Sequence, residues 1–170
     1  INYTVSIYEF AGTNCYNLTQ ATASQTATFA GTIYYVDDAS NTGDIYTPSA
    51  TGNDANNGLT ATTPKRTLKN LMTTYAGTFA NGDIIYIDAG TYTTEISIVV
   101  NTAGLSFIGA GQSLTFIDRS ASTAINSDWF MYINTDNIIV KECTIMGYEN
   151  QGTQTTAVES GQAITVGDGA

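Results

Sequence analysis

The sequence predicts an all-β protein, built as a parallel β-helix of stacked coils with one amphipathic helix. Its 170 residues include 17 Ile, 7 Val, 29 Thr and 11 Tyr against only 6 Leu, and β-branched and aromatic side chains fit the pleated surface of a sheet. After residue 82, short apolar runs alternate with small polar turns, almost without the Asn-Gly or Asp-Gly pairs of tight hairpins. Residues 83–90 also recur 21 positions later, at 104–111. A period of this length is typical of a solenoid.

The composition excludes several classes of function. A net charge of −10 repels phosphate backbones and anionic bilayers, so we expect neither nucleic acid nor a membrane surface as a partner. No apolar run approaches the length of a membrane span, which predicts no membrane insertion. Histidine is absent, which removes Ser-His-Asp catalysis and every His-ligated metal centre within this chain.

Four regions are expected along the chain. Residues 1–32 predict a β arm, in which Ile1, Tyr3, Val5 and Ile7 alternate with polar residues, followed by a flexible connector at 19–28. Residues 33–62 predict a first strand and an acidic loop of successive Asx turns, exposed to solvent and anchored only by Ile45 and Tyr46. The other two regions are a helix at 63–77 and the coils at 83–170.

The helix predicted over 63–77 has clear start and stop signals. Thr63 is the expected N-cap, Pro64 the first helical residue, and Gly77 a residue that can end the helix. Three of the five cations are expected to face solvent: Lys65, Arg66 and Lys69. The apolar positions have the i, i+3, i+4, i+7 spacing of one helix face: Leu68, Leu71, Met72 and Tyr75.

Residues 83–170 are predicted to form two to three coils, incomplete at the carboxyl end. In such coils short parallel strands stack on one another, with inward apolar columns and outward Thr and Asn ladders. The side chains expected to point inward are Ile84, Ile87, Ile98, Phe107, Ile117, Ile133, Ile139 and Ile145.

Several strings of the sequence resemble a known family. They are YYVDD at 34–38, TGDIYT at 42–47, GNDANNGLT at 52–60, TPKRTL at 63–68, GDIIYI at 82–87, AGTY at 89–92 and LSFIGAG at 105–111. Together they make residues 33–146 similar to the amino-terminal entry of right-handed parallel β-helix proteins of the pectate-lyase-like superfamily. The first three strings are also similar to β-helix regions of very large secreted surface proteins of Bacteroidota, many of them type IX secretion cargo and some of them gliding or adhesion proteins.

This resemblance implies a right-handed coil, a secreted or cell-surface location, and secretion-system components as partners during export. It also gives the helix a role. The first coil of a β-helix has an open edge, and an apolar helix laid across that end blocks the addition of further strands. The residues expected to form this structural cap are Leu68, Leu71, Met72 and Tyr75.

Few residues suggest catalysis. β-helix polysaccharide enzymes use clustered carboxylates, or a Lys or Arg base with Ca²⁺ held by carboxylates. The candidates here are Asp88, Asp118 and Lys141, near the ends of predicted strands. Arg119 and Glu142 stand beside the last two, and neighbours on a strand point to opposite faces. We therefore expect solvated surface positions rather than one converging site.

Four aspartates offer oxygen ligands to Ca²⁺: Asp37, Asp38, Asp44 and Asp54. The loop lacks EF-hand spacing, and Asx turns explain the same residues without metal. We therefore expect no cofactor and leave a structural Ca²⁺ open. Cys15 and Cys143 lack metal-binding spacing, and two interpretations stay open for them: unpaired half-buried thiols, or a single disulfide in an oxidising compartment.

The sequence as a whole predicts a non-catalytic β-helix segment of a secreted cell-surface or adhesion protein. Binding would be to a glycan or another cell surface, through Thr and Asn ladders and exposed Tyr. The alternative is the amino-terminal part of a polysaccharide lyase or glycoside hydrolase whose catalytic coils follow residue 170.

Overall fold

The structure, a computed structural model, describes residues 31–95, 97–118, 129–147 and 163–167, together with the backbone of two earlier strands. The chain divides into two compact units, Ile1–Ala30 and Gly31–Ala170. In the first unit, β1 (Asn2–Ile7) coincides with the predicted arm and pairs antiparallel with β2 (Ala21–Thr26). The flexible connector was therefore a wrong prediction for 21–26. Strand pairing uses the backbone, so this segment needs no bulky side chains to form a ladder.

The second unit contains short strands and one helix within its described residues. In chain order they are β3 (Ile33–Val36), α1 (Leu68–Thr74), β4 (Ile84–Ile87), β5 (Gly90–Tyr92), β6 (Ile98–Val100), β7 (Ser106–Gly109), β8 (Thr115–Asp118), β9 (Met131–Ile133), β10 (Ile139–Lys141), β11 (Thr144–Met146) and β12 (Ile164–Val166). Each apolar run noted after residue 82 contains one of these strands. The sequence missed β5, because Gly-Thr-Tyr carries a single bulky side chain.

The strands of the second unit pair in parallel and form three sheets. Their orders are β10-β7-β4-β3, β11-β8-β5 and β12-β9-β6. From β4 to β9, each strand pairs with the third strand after it. The unit is thus mostly parallel β-structure with one helix, which is compatible with a parallel β-helix.

The register differs by one residue from the repeat seen in the sequence. Ile84 pairs with Ser106 and Ile85 with Phe107, a spacing of 22 positions rather than 21. A shift of one residue exchanges the two faces of a strand. Ile85 is accordingly fully buried whereas Ile84 is only partly buried, and Ile139, in the same outward column, is 50% exposed. The inward predictions for Ile84 and Ile139 were wrong.

The other inward predictions agree with the structure. Four of the residues are buried in one continuous core: Ile87, Ile98, Phe107 and Ile117. Ile133 and Ile145 are partly buried and pack against that core. The core therefore consists largely of the β-branched and aromatic side chains that made the sequence strand-like.

The helix begins later than its sequence signals indicate. Its N-cap is Thr67, whose side chain accepts a hydrogen bond from the Asn70 backbone N–H, and not Thr63. The reason is that Lys65 forms a parallel β-bridge with Val36. The Lys65 N–H donates to the Tyr35 carbonyl at 3.0 Å, and a residue held in this extended pairing cannot belong to a helix.

Lys65 also departs from its predicted exposure. It is only 3% exposed, and its Nζ donates to the Asp54 carbonyl at 3.0 Å. Arg66 and Lys69 are exposed, as expected. The helix ends at Thr74, short of Gly77, and no helix in the described part of the chain has the length and apolar character needed to cross a membrane.

An extended segment and the helix together cover one end of the second unit. β3 is the last strand of its sheet, and its outer edge bonds to 58–65: the Tyr35 N–H donates to the Gly58 carbonyl at 2.8 Å, and the Asp37 N–H donates to the Lys65 carbonyl at 2.9 Å. Backbone pairing closes this edge in a way the sequence did not indicate. The predicted cap residues cover the adjacent core, with Leu68, Leu71 and Met72 buried and Tyr75 packed against Tyr34 at 4.9 Å between ring centroids.

Replacing Leu71 with Asp is expected to lower the free energy of unfolding by about 4 kcal/mol, because the fully buried side chain would become an unpaired carboxylate in the core. Thr73→Asp is the matched control, since Thr73 lies on the exposed face of the same helix and should change stability by only about 0.5 kcal/mol. Urea unfolding measures both. Equal stability of the two variants would show that Leu71 is not a core contact.

Candidate functional site

Asp88 fastens the acidic loop to the sheet. It follows β4, is fully buried, and accepts hydrogen bonds from the backbone N–H groups of Ile45 and Tyr46 at 2.8 Å and of Thr47 at 2.6 Å, as well as from the Thr47 hydroxyl at 2.8 Å. The Ile45 side chain is 54% exposed, so the loop is anchored by its backbone and not by Ile45 as predicted. The carboxylate of Asp88, a predicted catalytic candidate, therefore serves to hold the loop in place.

Three further aspartates gather around Asp88. Asp37 is fully buried, and the Thr47 hydroxyl lies close enough to lower its pKa, but that hydroxyl donates its proton to Asp88. Neither oxygen of Asp37 therefore accepts a hydrogen bond, and the two buried oxygens of Asp44 accept none either. Burial, followed by repulsion from Asp44, Asp88 and Asp38, raises the pKa of Asp37 to about 7. Burial and the charges of Asp88 and Asp38 raise the pKa of Asp44 to about 6. All the charged groups that shift these two pKa values are carboxylates.

The fourth predicted Ca²⁺ ligand, Asp54, has a different environment. Its Oδ1 accepts hydrogen bonds from the N–H groups of Arg66 at 3.0 Å and Thr67 at 2.9 Å, and its Oδ2 accepts one from the Thr67 hydroxyl at 3.1 Å. A carboxylate in this position satisfies N–H groups at the start of a helix. Asp54 therefore supports α1, while Asp37, Asp38 and Asp44 lie together.

Glu95 is a buried acid that sequence reasoning missed. It is fully buried, and its carboxylate oxygens accept hydrogen bonds from the Leu68 N–H at 2.9 Å and the Lys69 N–H at 2.8 Å. Burial outweighs these two bonds and raises its pKa to about 7. In the sequence it ends a polar Thr-rich run at 91–95, which indicates an exposed turn, and nothing local predicts its distant partners.

Glu95 predicts a pH dependence of stability. Since its folded pKa of about 7 lies above its ordinary value of 4.5, the unfolded chain loses the proton first as pH rises. The contribution of Glu95 to the free energy of unfolding is therefore full below pH 4.5 and falls by about 3 kcal/mol on rising through pH 7. Urea unfolding measures this effect at several pH values. The free energy of unfolding of Glu95→Gln minus that of the parent should rise by about 3 kcal/mol between pH 5 and pH 8. A parent-to-variant difference that stays constant with pH would contradict the assignment.

A polar cleft lies beside the start of α1. Its volume is about 520 Å³, and its lining contains a guanidinium, several hydroxyls and three carboxylates, of which Glu95 is fully buried. The exposed Arg66 provides hydrogen-bond donors, while Asp38 and Asp54 provide acceptors. The hydroxyl groups come from Ser40, Thr67, Thr91, Thr93 and Thr94. Such a lining can exchange hydrogen bonds with a polyhydroxylated ligand.

Three tyrosines cluster on the outward face of the first sheet. Tyr35 and Tyr86 are in register, with ring centroids 6.0 Å apart, and Tyr46 from the acidic loop stacks on Tyr86 at 4.2 Å. The Tyr46 hydroxyl donates to the Gly109 carbonyl at 3.0 Å. These rings are only partly exposed, so they fasten the loop to the sheet rather than form an open platform.

The remaining site candidates lie apart from one another. Asp118 ends β8 and pairs with Met146, whereas Lys141 ends β10 in another sheet and pairs with Ile108. No strand pair joins them to each other or to Asp88. Cys143 is half-buried, and burial, together with the Glu142 charge, raises the pKa of its thiol. Cys15 lies outside the described residues, so the bridge between the two cysteines stays a prediction.

Within the described ranges, no group of three or more Asp, Glu, Cys or His side chains is arranged to hold a metal ion. Comparison with known proteins gives no relative: the chain matches no protein-family model, no curated protein and no solved structure. The features of the chain that bear on its function are therefore the strand topology, the cleft and the aspartate cluster.

Proposed function

We propose that residues 31–167 belong to a right-handed parallel β-helix and serve as a non-catalytic segment of a secreted, cell-surface adhesion protein. The observation that carries this proposal is the pairing of each strand from β4 to β9 with the third strand after it, repeated in three parallel sheets. A chain that winds in coils and contributes one strand to each of three faces produces this order. The resemblance expected from the strings at 34–60 extends this proposal to export as type IX secretion cargo.

A ligand of a non-catalytic segment needs an open surface that exchanges hydrogen bonds with it, and the polar cleft beside α1 provides one. Its hydroxyls, carboxylates and Arg66 match the donors and acceptors of a sugar. Because the chain carries a net charge of −10, a neutral glycan is favoured over an acidic one. We infer that the segment contributes to attachment at a glycan-covered surface.

Affinity electrophoresis of the 170-residue protein through gels containing laminarin, xylan, mannan or alginate tests this proposal. We expect retardation by a neutral polysaccharide, weakened in Arg66→Ala because Arg66 lines the cleft. Lys141→Ala is the control, since it removes an exposed cation at the end of β10. Absence of retardation by all four, or equal weakening in both variants, would overturn the assignment of the cleft.

A second candidate is the amino-terminal part of a polysaccharide lyase or glycoside hydrolase. The observation in its favour is that two carboxylates, Asp38 and Asp54, line one cleft, as paired carboxylates do in glycosidases. The non-catalytic proposal expects no new reducing ends and no unsaturated uronides after incubation with xylan or alginate. Products that disappear in Asp54→Asn would favour the enzyme.

A further inference from the structure

We propose that Asp37 and Asp44 form a binding site for Ca²⁺ beneath the acidic loop, an inference independent of the proposed function. Asp37 is completely buried and immediately follows β3. Neither of its carboxylate oxygens accepts a hydrogen bond, since the nearby Thr47 hydroxyl donates its proton to Asp88, and both oxygens of Asp44 are buried without a partner. These four oxygens lack the donors that buried carboxylates normally have.

The surroundings of the pair favour a cation. Asp38 and Asp88 add two more carboxylates to the same region, and no Lys or Arg among the described residues is a charge partner of Asp37 or Asp44. The oxygens of Asp88 are already taken by N–H groups of the loop. Leaving charged carboxylates buried without a counter-charge is costly, and a bound cation removes that cost for Asp37 and Asp44 together.

The chemistry of the site selects Ca²⁺ among common cations. The ligands are hard oxygen atoms, and the chain has no histidine, which disfavours Zn²⁺ and Cu²⁺. The described residues contain no group of three or more acidic, Cys or His side chains arranged around one metal ion. Asp37 and Asp44 would therefore supply only two carboxylates, and carbonyl oxygens and water must complete the coordination shell. Ca²⁺ accepts such mixed, flexible coordination more readily than Mg²⁺. With only two charged ligands we expect weak binding, with a Kd of about 10⁻⁴–10⁻³ M, as in extracellular modules.

The position of the site gives the ion a structural consequence. Asp37 extends the strand whose outer edge is covered by 58–65, and Asp44 belongs to the loop that Asp88 holds at residues 45–47. An ion between them ties the loop to the capped end of the second unit. Calcium should therefore stabilise the folded chain by binding it in preference to the unfolded chain.

Terbium luminescence of the full 170-residue protein, freed of Ca²⁺ with EGTA, tests this site. Tb³⁺ occupies oxygen-rich Ca²⁺ sites, and Tyr92, whose hydroxyl donates to the Asp88 carbonyl at 3.2 Å, lies beside the cluster as an energy donor. We expect tyrosine-sensitised emission that Ca²⁺ displaces. The emission should be lost in Asp37→Asn and in Asp44→Asn. It should persist in Asp136→Asn, which removes an exposed carboxylate.

Thermal unfolding of the parent supplies a readout that does not depend on the variants folding. Millimolar Ca²⁺ should raise the Tm more than Mg²⁺ at equal concentration, which controls for ionic strength. Absence of Ca²⁺-displaceable emission together with equal Tm values in the two salts would overturn the proposal. Emission that survives Asp37→Asn and Asp44→Asn but is lost in Asp54→Asn would place the ion at the start of α1 and would also overturn it.

Discussion

Asp88→Asn is expected to lower the free energy of unfolding by about 3 kcal/mol, although the substitution preserves size and removes one charge from an acidic cluster. In the folded chain, three loop N–H groups and one hydroxyl donate to the two Asp88 oxygens. The Asn side chain has only one oxygen acceptor. Its NH₂ group would take the place of the second carboxylate oxygen and would face the loop donors that this oxygen now accepts from. Loop N–H groups would be left buried and unpaired, a penalty larger than the relief of repulsion with Asp37.

Asp136→Asn is the matched control for this prediction, because it removes the same charge from an exposed side chain and should change stability by about 0.5 kcal/mol or less. Urea unfolding of both variants at one pH and one Ca²⁺ concentration provides the comparison. If Asp88→Asn unfolded at the same denaturant concentration as Asp136→Asn, Asp88 would not be the anchor of the loop.

Gly52→Ala is expected to be comparably severe, with a loss of about 4 kcal/mol. A Cβ at this position would overlap the carbonyl oxygen of Asp37 and lie 2.8 Å from the Cα of Arg66. Both neighbours are backbone atoms, so no side chain can move aside. The Gly52 N–H also donates to the Asp38 carbonyl at 2.6 Å, and a shift of the loop would break that bond.

Gly77→Ala separates crowding from backbone strain. Gly77 has a φ of +80° but open space around its Cα, so an added Cβ there costs only the strain of about 1 kcal/mol. Denaturant midpoints of the two variants should differ clearly. A Gly52→Ala protein as stable as Gly77→Ala would mean that the loop does not approach the end of β3 as closely as described.

Sequence reasoning located the strands but not their register. Short Ile-rich runs indicate the strands because β-branched side chains fit the pleated surface of a sheet, and this signal lies within each run. The spacing between stacked strands is not constant: Gly90 pairs with Thr115, and Ile98 with Met131. Turns of different length between coils blur the period, and a one-residue error then places Ile84 on the wrong face.

The site could be predicted only where its residues lie close together in the sequence. The composition of the acidic loop drew attention to Asp37, Asp38 and Asp44, which do lie together, and also to Asp54, which supports the start of α1 and shares the cleft with Asp38. The partners of Asp88 lie 41 to 43 positions away, and those of Glu95 lie 26 and 27 positions away. A single sequence contains no signal for such pairs, because they arise from the stacking of strands and the placement of the helix.

Backbone NOEs in isotope-labelled protein test the parallel stacking most directly. One pair from each sheet suffices: Ile85 with Phe107, Thr91 with Phe116, and Val99 with Tyr132. Parallel stacking predicts amide-to-α cross peaks for all three pairs, without the intense α-to-α cross peaks that closely opposed residues give in an antiparallel ladder. Intense α-to-α peaks joining consecutive strands of the second unit, such as β4 with β5, would contradict the parallel fold of that unit and with it the proposal of a β-helix.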